Sequence, residues 1–317
     1  MRKQRHFARL FFCLSIGLLL SIAHRALAAE PSSAGQTTIA IGRVSDNPKK
    51  HYKEFKPFID YLARQLAPLG IREGKVVFTK DNHELIGHLR NGTVDIVSET
   101  PFSSLLYMDQ TGAKILLRRW KNVSSRYSSI IFARKDSGIH SLEELKGKKI
   151  AFEDPGSTSG YLLPKAVFKQ KGIEMVELKS LQDPVPPDKV GYLFAGGEIN
   201  LTHWVHRGMA AAGALSDLEF RDPEEVPESF LPDFQPLYES IFVPRNLILV
   251  RAGMDPRLEE AIKQVLLSMK DEEDGQVIMR KFNKTSNFDE LPGGSDEALR
   301  EVRKLYELIR EDILKSS

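Results

Sequence analysis

From residue 39 to residue 120 the chain alternates short apolar runs with amphipathic stretches, and that rhythm admits few folds. Residues 39–42, 75–79, 94–97 and 114–120 read as strands. Between the first two, Phe55, Phe58, Ile59, Leu62 and Leu66 recur at helical spacing over residues 52–66. Residues 83–90 form a second helix ended by Asn91-Gly92, and residues 102–110 a third. Strands alternating with helices predict the α/β class, a mainly parallel sheet with helices on its faces.

A second such unit begins near Ser128. Residues 128–133 are a strand, and Ser141-Leu142-Glu143-Glu144 is a capping box opening a short helix closed at Gly147. The strand at 149–152 runs into Asp154-Pro155-Gly156-Ser157-Thr158-Ser159-Gly160 and then a helix to about residue 171. Residues 175–178 are a strand, 182–188 a proline-rich loop, 199–207 a helix and 211–215 a small-residue strand. Residues 242–250 carry the chain onward, and helices over 256–270 and 295–314 close it. No internal repeat or low-complexity segment interrupts this order.

The first 28 residues stand apart. Arg2, Lys3, Arg5 and Arg9 precede an apolar run over residues 10–23, and Ala26-Leu27-Ala28 supplies the small residues of a cleavage site. Fourteen apolar residues reach only ~21 Å as a helix, against a ~30 Å hydrocarbon core, so the segment reads as a cleaved export signal. Cys13, the chain's one cysteine, leaves with it, so the mature protein has neither disulfide nor thiol. The leader holds five basic residues and no acidic one, which leaves 40 basic against 43 acidic residues in the rest. That balance gives no electrostatic case for nucleic acid or anionic lipid as a partner. A soluble periplasmic product follows, with no membrane insertion after cleavage and room for two domains.

The most informative segment is residues 154–160. A helix N-terminus at the carboxyl end of a parallel strand offers backbone N–H groups without intrahelical partners and a partial positive charge. Ser157, Thr158 and Ser159 add three hydroxyls there, and Gly156 and Gly160 allow close approach of a ligand. The result is an uncharged, donor-rich cradle for a tetrahedral oxyanion, where one serine would suffice for a plain cap. Enzyme readings fail. The central position of Gly156-Ser157-Thr158-Ser159-Gly160 is threonine, so it is no nucleophile elbow, and no nucleotide P-loop is present. His203 and His206 share a helix face but lack a third metal ligand, and the acidic run 271–274 reads as a solvated helix end.

Several stretches together resemble the substrate-binding proteins of phosphate, phosphite and phosphonate ABC transporters. They are Leu89-Arg90-Asn91-Gly92-Thr93-Val94-Asp95-Ile96, Pro101-Phe102-Ser103, Lys135-Asp136-Ser137-Gly138-Ile139 and the run from Ser141 to Lys149. The strongest is Phe152-Glu153-Asp154-Pro155-Gly156-Ser157-Thr158-Ser159-Gly160-Tyr161-Leu162-Leu163-Pro164. The resemblance spans about residues 80–165, and the leader and terminal helices fit it.

That resemblance implies a periplasmic type II binding-protein fold, with two α/β lobes closing over a ligand. Lobe one would be residues 29–127 plus 244–317, and lobe two residues 128–243. It implies no cofactor and no catalysis, a small oxyanion ligand held by Ser157, Thr158, Ser159 and Gly160, and an ABC permease as partner. A membrane sensor signalled by the same fold is the alternative partner. Family pocket positions that are aromatic fall on Asn82 and Glu99, and a family histidine falls on Gly197 or Glu198. A family acidic position falls on Ala210 or Ala211. Glu99 in a cleft would repel a bare dianion unless it is protonated or meets a ligand amine.

Overall fold

The computed structural model describes residues 35–45 and 47–315; the export signal read at residues 1–28 lies outside them. The first run of elements is β1 (Thr38–Val44), α1 (Pro48–Gln65), β2 (Glu73–Thr79), α2 (Asn82–Arg90), β3 (Ile96–Glu99), α3 (Pro101–Thr111) and β4 (Lys114–Lys121). Then come β5 (Arg126–Tyr127), β6 (Ser129–Arg134), β7 (Lys149–Phe152), α4 (Leu163–Gln170), β8 (Met175–Glu177), β9 (Val190–Phe194), α5 (Glu198–His206), β10 (Ala212–Ser216) and β11 (Phe234–Glu239). The chain ends with β12 (Val243–Pro244), β13 (Asn246–Val250), α6 (Pro256–Ser268), α7 (Glu273–Lys281), β14 (Thr285–Asp289) and α8 (Gly294–Lys315).

Two six-stranded sheets result, in the orders β14-β4-β13-β3-β1-β2 and β11-β6-β10-β7-β9-β8, with β5 and β12 pairing as a short ribbon between them in sequence. In the first sheet β1, β2 and β3 are parallel and β13 runs against both β3 and β4. In the second β7, β8, β9 and β10 are parallel and β6 opposes β10. These are the two α/β lobes of a periplasmic binding-protein architecture.

Local chemistry explains the elements that frame the site. The Asn47 side chain accepts from Lys50 N, Pro48 starts α1, and Phe55, Phe58, Ile59 and Leu62 bury one helix face. Phe58 stacks on Phe282 at 4.0 Å, and burying one such ring contributes about 1.5–3 kcal/mol. β2 approaches α1 so closely that a side chain at Gly74 would lie 2.5 Å from the Ile59 carbonyl oxygen. Asp95, buried before β3, accepts from Ala40 N and from Arg251 Nε, each at 2.9 Å. It ties β1 and β13 to the same strand.

The last helix joins the two lobes from behind. Leu299, Val302, Leu305, Tyr306, Ile309 and Ile313 of α8 belong to one buried cluster with Phe102 and Leu105 of α3 and Leu163 and Val167 of α4. Asp109 of α3 pairs with Arg303 at 3.2 Å, and Asp312 lies 3.7 Å from Lys169 of α4. Among the described residues no helix is long and apolar enough to cross a membrane.

Among the elements that escape the sequence pattern are β5, three longer strands and a helix. β9 sits inside the second sheet, directly after the proline-rich loop, and contains Gly191. A side chain there would lie within 2.8 Å of Val185 and Leu178, so the loop packs where a strand residue would otherwise project. β11 contains Pro236 and a register shift, which its edge position tolerates. β14 is polar and short. The acidic run 271–274 does not end a helix as expected; its later residues open α7, where negative charge suits the helix dipole. β3 starts two residues later than expected, which makes Glu99 its last residue. The capping box is displaced: the Glu144 carboxylate accepts from His140 N at 2.6 Å, and Ser141 caps nothing.

Candidate functional site

In the first sheet β1, β3 and β4 point the same way, so their last residues and the residue before β13 share one edge. The sequence puts Arg43, Glu99, Arg119, Lys121 and Arg245 there. In the second sheet the parallel strands β7, β9 and β10 end at residues 153–160, 195–198 and 217–219. Carboxyl ends of parallel strands are where open α/β sheets place their ligand crevice. The two edges face each other: Arg245 Nη2 donates to Glu219 Oε1 at 3.4 Å, and Glu99 feels the charge of Asp154.

The first edge is cationic. The Arg43 guanidinium stands 5.3 Å from the Phe55 ring centroid, and its Nε is buried without a hydrogen bond. Arg119 is 2 % exposed; its Nε donates to Ser98 Oγ at 3.0 Å, its Nη1 to Thr285 Oγ1 at 2.8 Å, and it lies 5.2 Å from the Phe282 centroid. Burial, then Arg245 and Arg43, pull its pKa down to about 9, which leaves it charged at neutral pH. Burial raises the Glu99 carboxyl above its usual range, although Arg43 and Arg119 oppose the shift. Lys121 is shifted down, by burial first and then by Arg245.

The second edge is built on a wide π turn. Leu162 N bonds to Ser157 O and Leu163 N to Thr158 O, a five-residue spacing that leads into α4. Ser157 Oγ accepts from Gly160 N at 2.9 Å, so this hydroxyl caps the turn. Ser159 is buried and its carbonyl accepts from Ser129 Oγ at 2.6 Å. Thr158 is 1 % exposed, and its Oγ1 makes no hydrogen bond of good geometry. Acids surround the turn. Burial, and then the charges of Glu198, Asp154 and Glu219, hold the Glu153 carboxyl well above the usual carboxylate range.

Between the edges lies the β5–β12 ribbon. The Arg245 guanidinium stacks on the Tyr127 ring at 4.3 Å, and Arg245 Nε is buried with no partner. Burial pushes the Tyr127 phenol up to about 12, against the charge of Arg245 and hydrogen-bonding contacts from Thr158 and Arg245 to the phenol. Asn82, the first residue of α2, accepts from the Tyr107 hydroxyl at 2.5 Å. Burial, then the charge of Glu99, raises Tyr107 well above its ordinary value, so Asn82 adjoins the Glu99 side of the cleft.

The structure therefore brings Ser157, Thr158, Gly160 and Glu198 to one edge, and sets Glu99 and Asn82 on the other. Ser159 is buried beside them, its carbonyl taken by Ser129 Oγ. Sequence reasoning missed Arg43, Arg119, Lys121, Arg245, Tyr127, Glu153 and Glu219. A signal exists for some: Arg43 and Glu153 each follow an apolar strand run abruptly, at the end where a crevice forms. Arg245 carries no such mark, because only pairing of β13 against β3 brings it in. Two surface concavities, beside α5 (Asn200, His203, Trp204) and between α4 and α8 (Val167, Gln170, Leu305), take in none of these charged residues. Among the described residues no group of three or more His, Cys, Asp or Glu could hold a metal ion.

The model of one protein family, described as "ABC transporter, phosphonate, periplasmic substrate-binding protein", matches residues 41–292. The phosphate-import protein PhnD of Mycolicibacterium smegmatis is 27% identical over 206 residues, 62% of this chain and 63% of that protein's length. XAC2383 of Xanthomonas citri, solved bound to chloride and bound to ATP, is 31% identical, with TM-scores of 0.81 and 0.79. The chloride-bound structure covers 89% of this chain and 100% of that one, and the ATP-bound structure covers 87% and 98%. PhnD1 of Prochlorococcus marinus, solved with methylphosphonate, shares the fold at TM-score 0.62 and 18% identity, over 87% of this chain and 98% of that one.

Proposed function

The chain belongs to the periplasmic substrate-binding proteins of phosphonate ABC transporters, and from that membership we propose a specific role. It captures a small oxyanion of the phosphonate, phosphate or phosphite class between its lobes and delivers it to an ABC permease. The lobes are residues 29–127 with 244–317, and residues 128–243. Residues 1–28 direct export to the periplasm. The family is one of transport proteins, not enzymes, and no observation favours the sensing alternative over import.

One observation carries this reading: two buried donors, Thr158 Oγ1 and Arg245 Nε, converge on the Tyr127 phenol without a hydrogen bond of good geometry. Buried polar groups in a folded protein are normally well satisfied, so a pair that meets only the Tyr127 hydroxyl, and that at poor geometry, has donor capacity left for a further acceptor. An oxyanion oxygen supplies it, and each hydrogen bond to a charged partner contributes ~1.5–3 kcal/mol. Arg119 and Arg43 add positive field from the first edge. XAC2383, a relative at 31% identity, was solved with two anions, chloride and ATP, in keeping with an anion cleft.

Calorimetric titration with phosphate, phosphite and methylphosphonate tests the proposal. At least one binds the wild type, and Thr158→Val with Arg245→Gln weakens it well over about tenfold. The reading falls if none binds, or if the folded double variant keeps the wild-type Kd.

A further inference from the structure

We propose that Tyr161 and Lys165 are positioning residues: they lock the 158–162 turn in the five-residue hydrogen-bond register that sets Thr158 against Tyr127. The inference rests on the oxyanion reading of the cleft and adds what holds one wall of that site in shape.

The wide turn has a cause in the sequence. Leu162 N bonds to Ser157 O at 2.9 Å and Leu163 N to Thr158 O, and the next residue, Pro164, has no N–H to give. In a regular α-helix its ring would also press on the carbonyl four residues back, that of Gly160. A π turn carries that carbonyl aside. The two carbonyls that Pro164 cannot serve find partners outside the helix. Ser159 O accepts from Ser129 Oγ at 2.6 Å, and Gly160 O accepts from Glu153 N at 3.3 Å. Gly160 permits the second contact, since a side chain there would lie 2.8 Å from Glu153 Cβ.

The proline lets the turn widen but does not hold it in one register. A slip to four-residue spacing would rotate the residues before it by about 100° around the helix axis and take Thr158 off Tyr127. Tyr161, within the turn, opposes the slip. Its ring is 3 % exposed and packs on Phe152, Tyr192 and Phe194 with centroids 5.2, 5.6 and 4.9 Å away. Lys165 Nζ donates to the Tyr161 hydroxyl at 2.9 Å, that hydroxyl donates to Tyr192 at 3.3 Å, and Tyr192 donates to Glu177 Oε2 at 3.2 Å. The chain runs from an ammonium to a carboxylate, so each bond polarises the next. The same ammonium lies 5.2 and 5.4 Å from the Tyr161 and Tyr192 ring centroids, and 3.8 Å from Asp312 of α8. Through Lys165 and Tyr192, elements β8, β9 and α8 converge on one tyrosine of the turn. A slip would pull that ring from its box and strip the mostly buried Lys165 ammonium of its acceptor.

The test is calorimetry on the mature chain with phosphate, phosphite and methylphosphonate, beside Lys165→Met, which keeps the apolar stem and removes the ammonium. Whichever anion binds wild type should bind this variant about fivefold or more weakly. Tyr161→Phe removes only the hydroxyl; it should weaken binding by about threefold, and it carries the test should Lys165→Met not fold. A double-mutant cycle separates positioning from plain stability. In a Thr158→Val background either substitution should cost less than about twofold, because the hydroxyl it positions is gone. An unchanged Kd in the folded variants, or the same cost with and without the Thr158 hydroxyl, overturns the inference and leaves the oxyanion reading standing. If none of the three anions binds wild type, both fall.

Discussion

The two edges that face each other are built alike and charged oppositely. Each is the carboxyl end of parallel strands in a six-stranded sheet. On the first, guanidinium groups rest on aromatic faces: Arg43 on Phe55, Arg119 on Phe282, Arg245 on Tyr127 at the ribbon. On the second, the charges of Glu198, Asp154 and Glu219 all bear on Glu153. A ring's negative face attracts a cation without carrying a counter-charge, so arginines can be ordered in a cleft before any ligand arrives. No comparable surface suits a carboxylate. On the acidic edge Glu153 is left with a raised proton affinity, the kind of unresolved local conflict that marks a site completed by something else.

If that contrast is right, removing a first-edge cation should hurt the fold and removing a second-edge acid should not. Arg119→Met strips three contacts, to Ser98 Oγ, Thr285 Oγ1 and the Asn283 carbonyl. We expect a loss of about 3 kcal/mol, since buried partners left unmatched cost ~1–3 kcal/mol each and partly relax. Urea unfolding with an unchanged m-value measures it. A loss below about 1 kcal/mol would mean the arginine was not a resolved part of the fold.

Glu153→Gln should act in the opposite direction, and only at high pH. The folded-state proton affinity of Glu153 lies above its unfolded value, so the folded protein binds more protons across that interval. Stability from this group is fully present below the unfolded carboxylate pKa and is lost as pH rises through the folded one. Glutamine does not titrate. The variant's Tm should therefore match wild type near pH 4 and exceed it at pH 8. A lower Tm at pH 8 would show that the carboxylate is stabilised where it sits, and the second edge would then hold no unresolved charge.

Legibility in the sequence follows the same divide. The alternation of strands and helices was readable because each element buries an apolar face, and the 154–160 turn was readable because glycines and hydroxyls cluster locally. Asn82, Glu99 and Glu198 were flagged through a family resemblance, not through any property of their own. The arginine edge was not readable. Arg119 lies mid-sequence between Arg118, which pairs with Asp289 on the far strand, and Trp120; nothing local says which of the two arginines turns inward. Arg245 reaches the site only through an antiparallel return 120 or more residues after β3 and β4 begin, a pairing no short window contains. Glu153 was passed over because the neighbouring hydroxyls made the turn look uncharged.

The smallest effect concerns the ligand-free cleft itself. Walls of opposite sign attract across solvent, with Lys121 and Arg245 set against Glu198 and Glu219. Between 0.1 M and 1 M salt the screening length falls from about 10 Å to about 3 Å, so attraction across a water-filled gap is largely removed while the direct Arg245–Glu219 contact is weakened far less. At the back, α8 shares one buried cluster with α3 and α4, and that apolar packing does not weaken with added sodium chloride. Salt should therefore widen the front slightly about a fixed back. We expect the ligand-free radius of gyration to grow by less than about 1 Å over that range, as read by small-angle scattering. Saturating oxyanion should abolish the response by holding the lobes closed. Lys121→Gln should reduce it in the free protein, since that variant removes one of the cations facing Glu198. A radius that shrinks with salt, or one that grows equally with ligand bound, would show that the opposite charges of the two edges do not act on each other across the cleft.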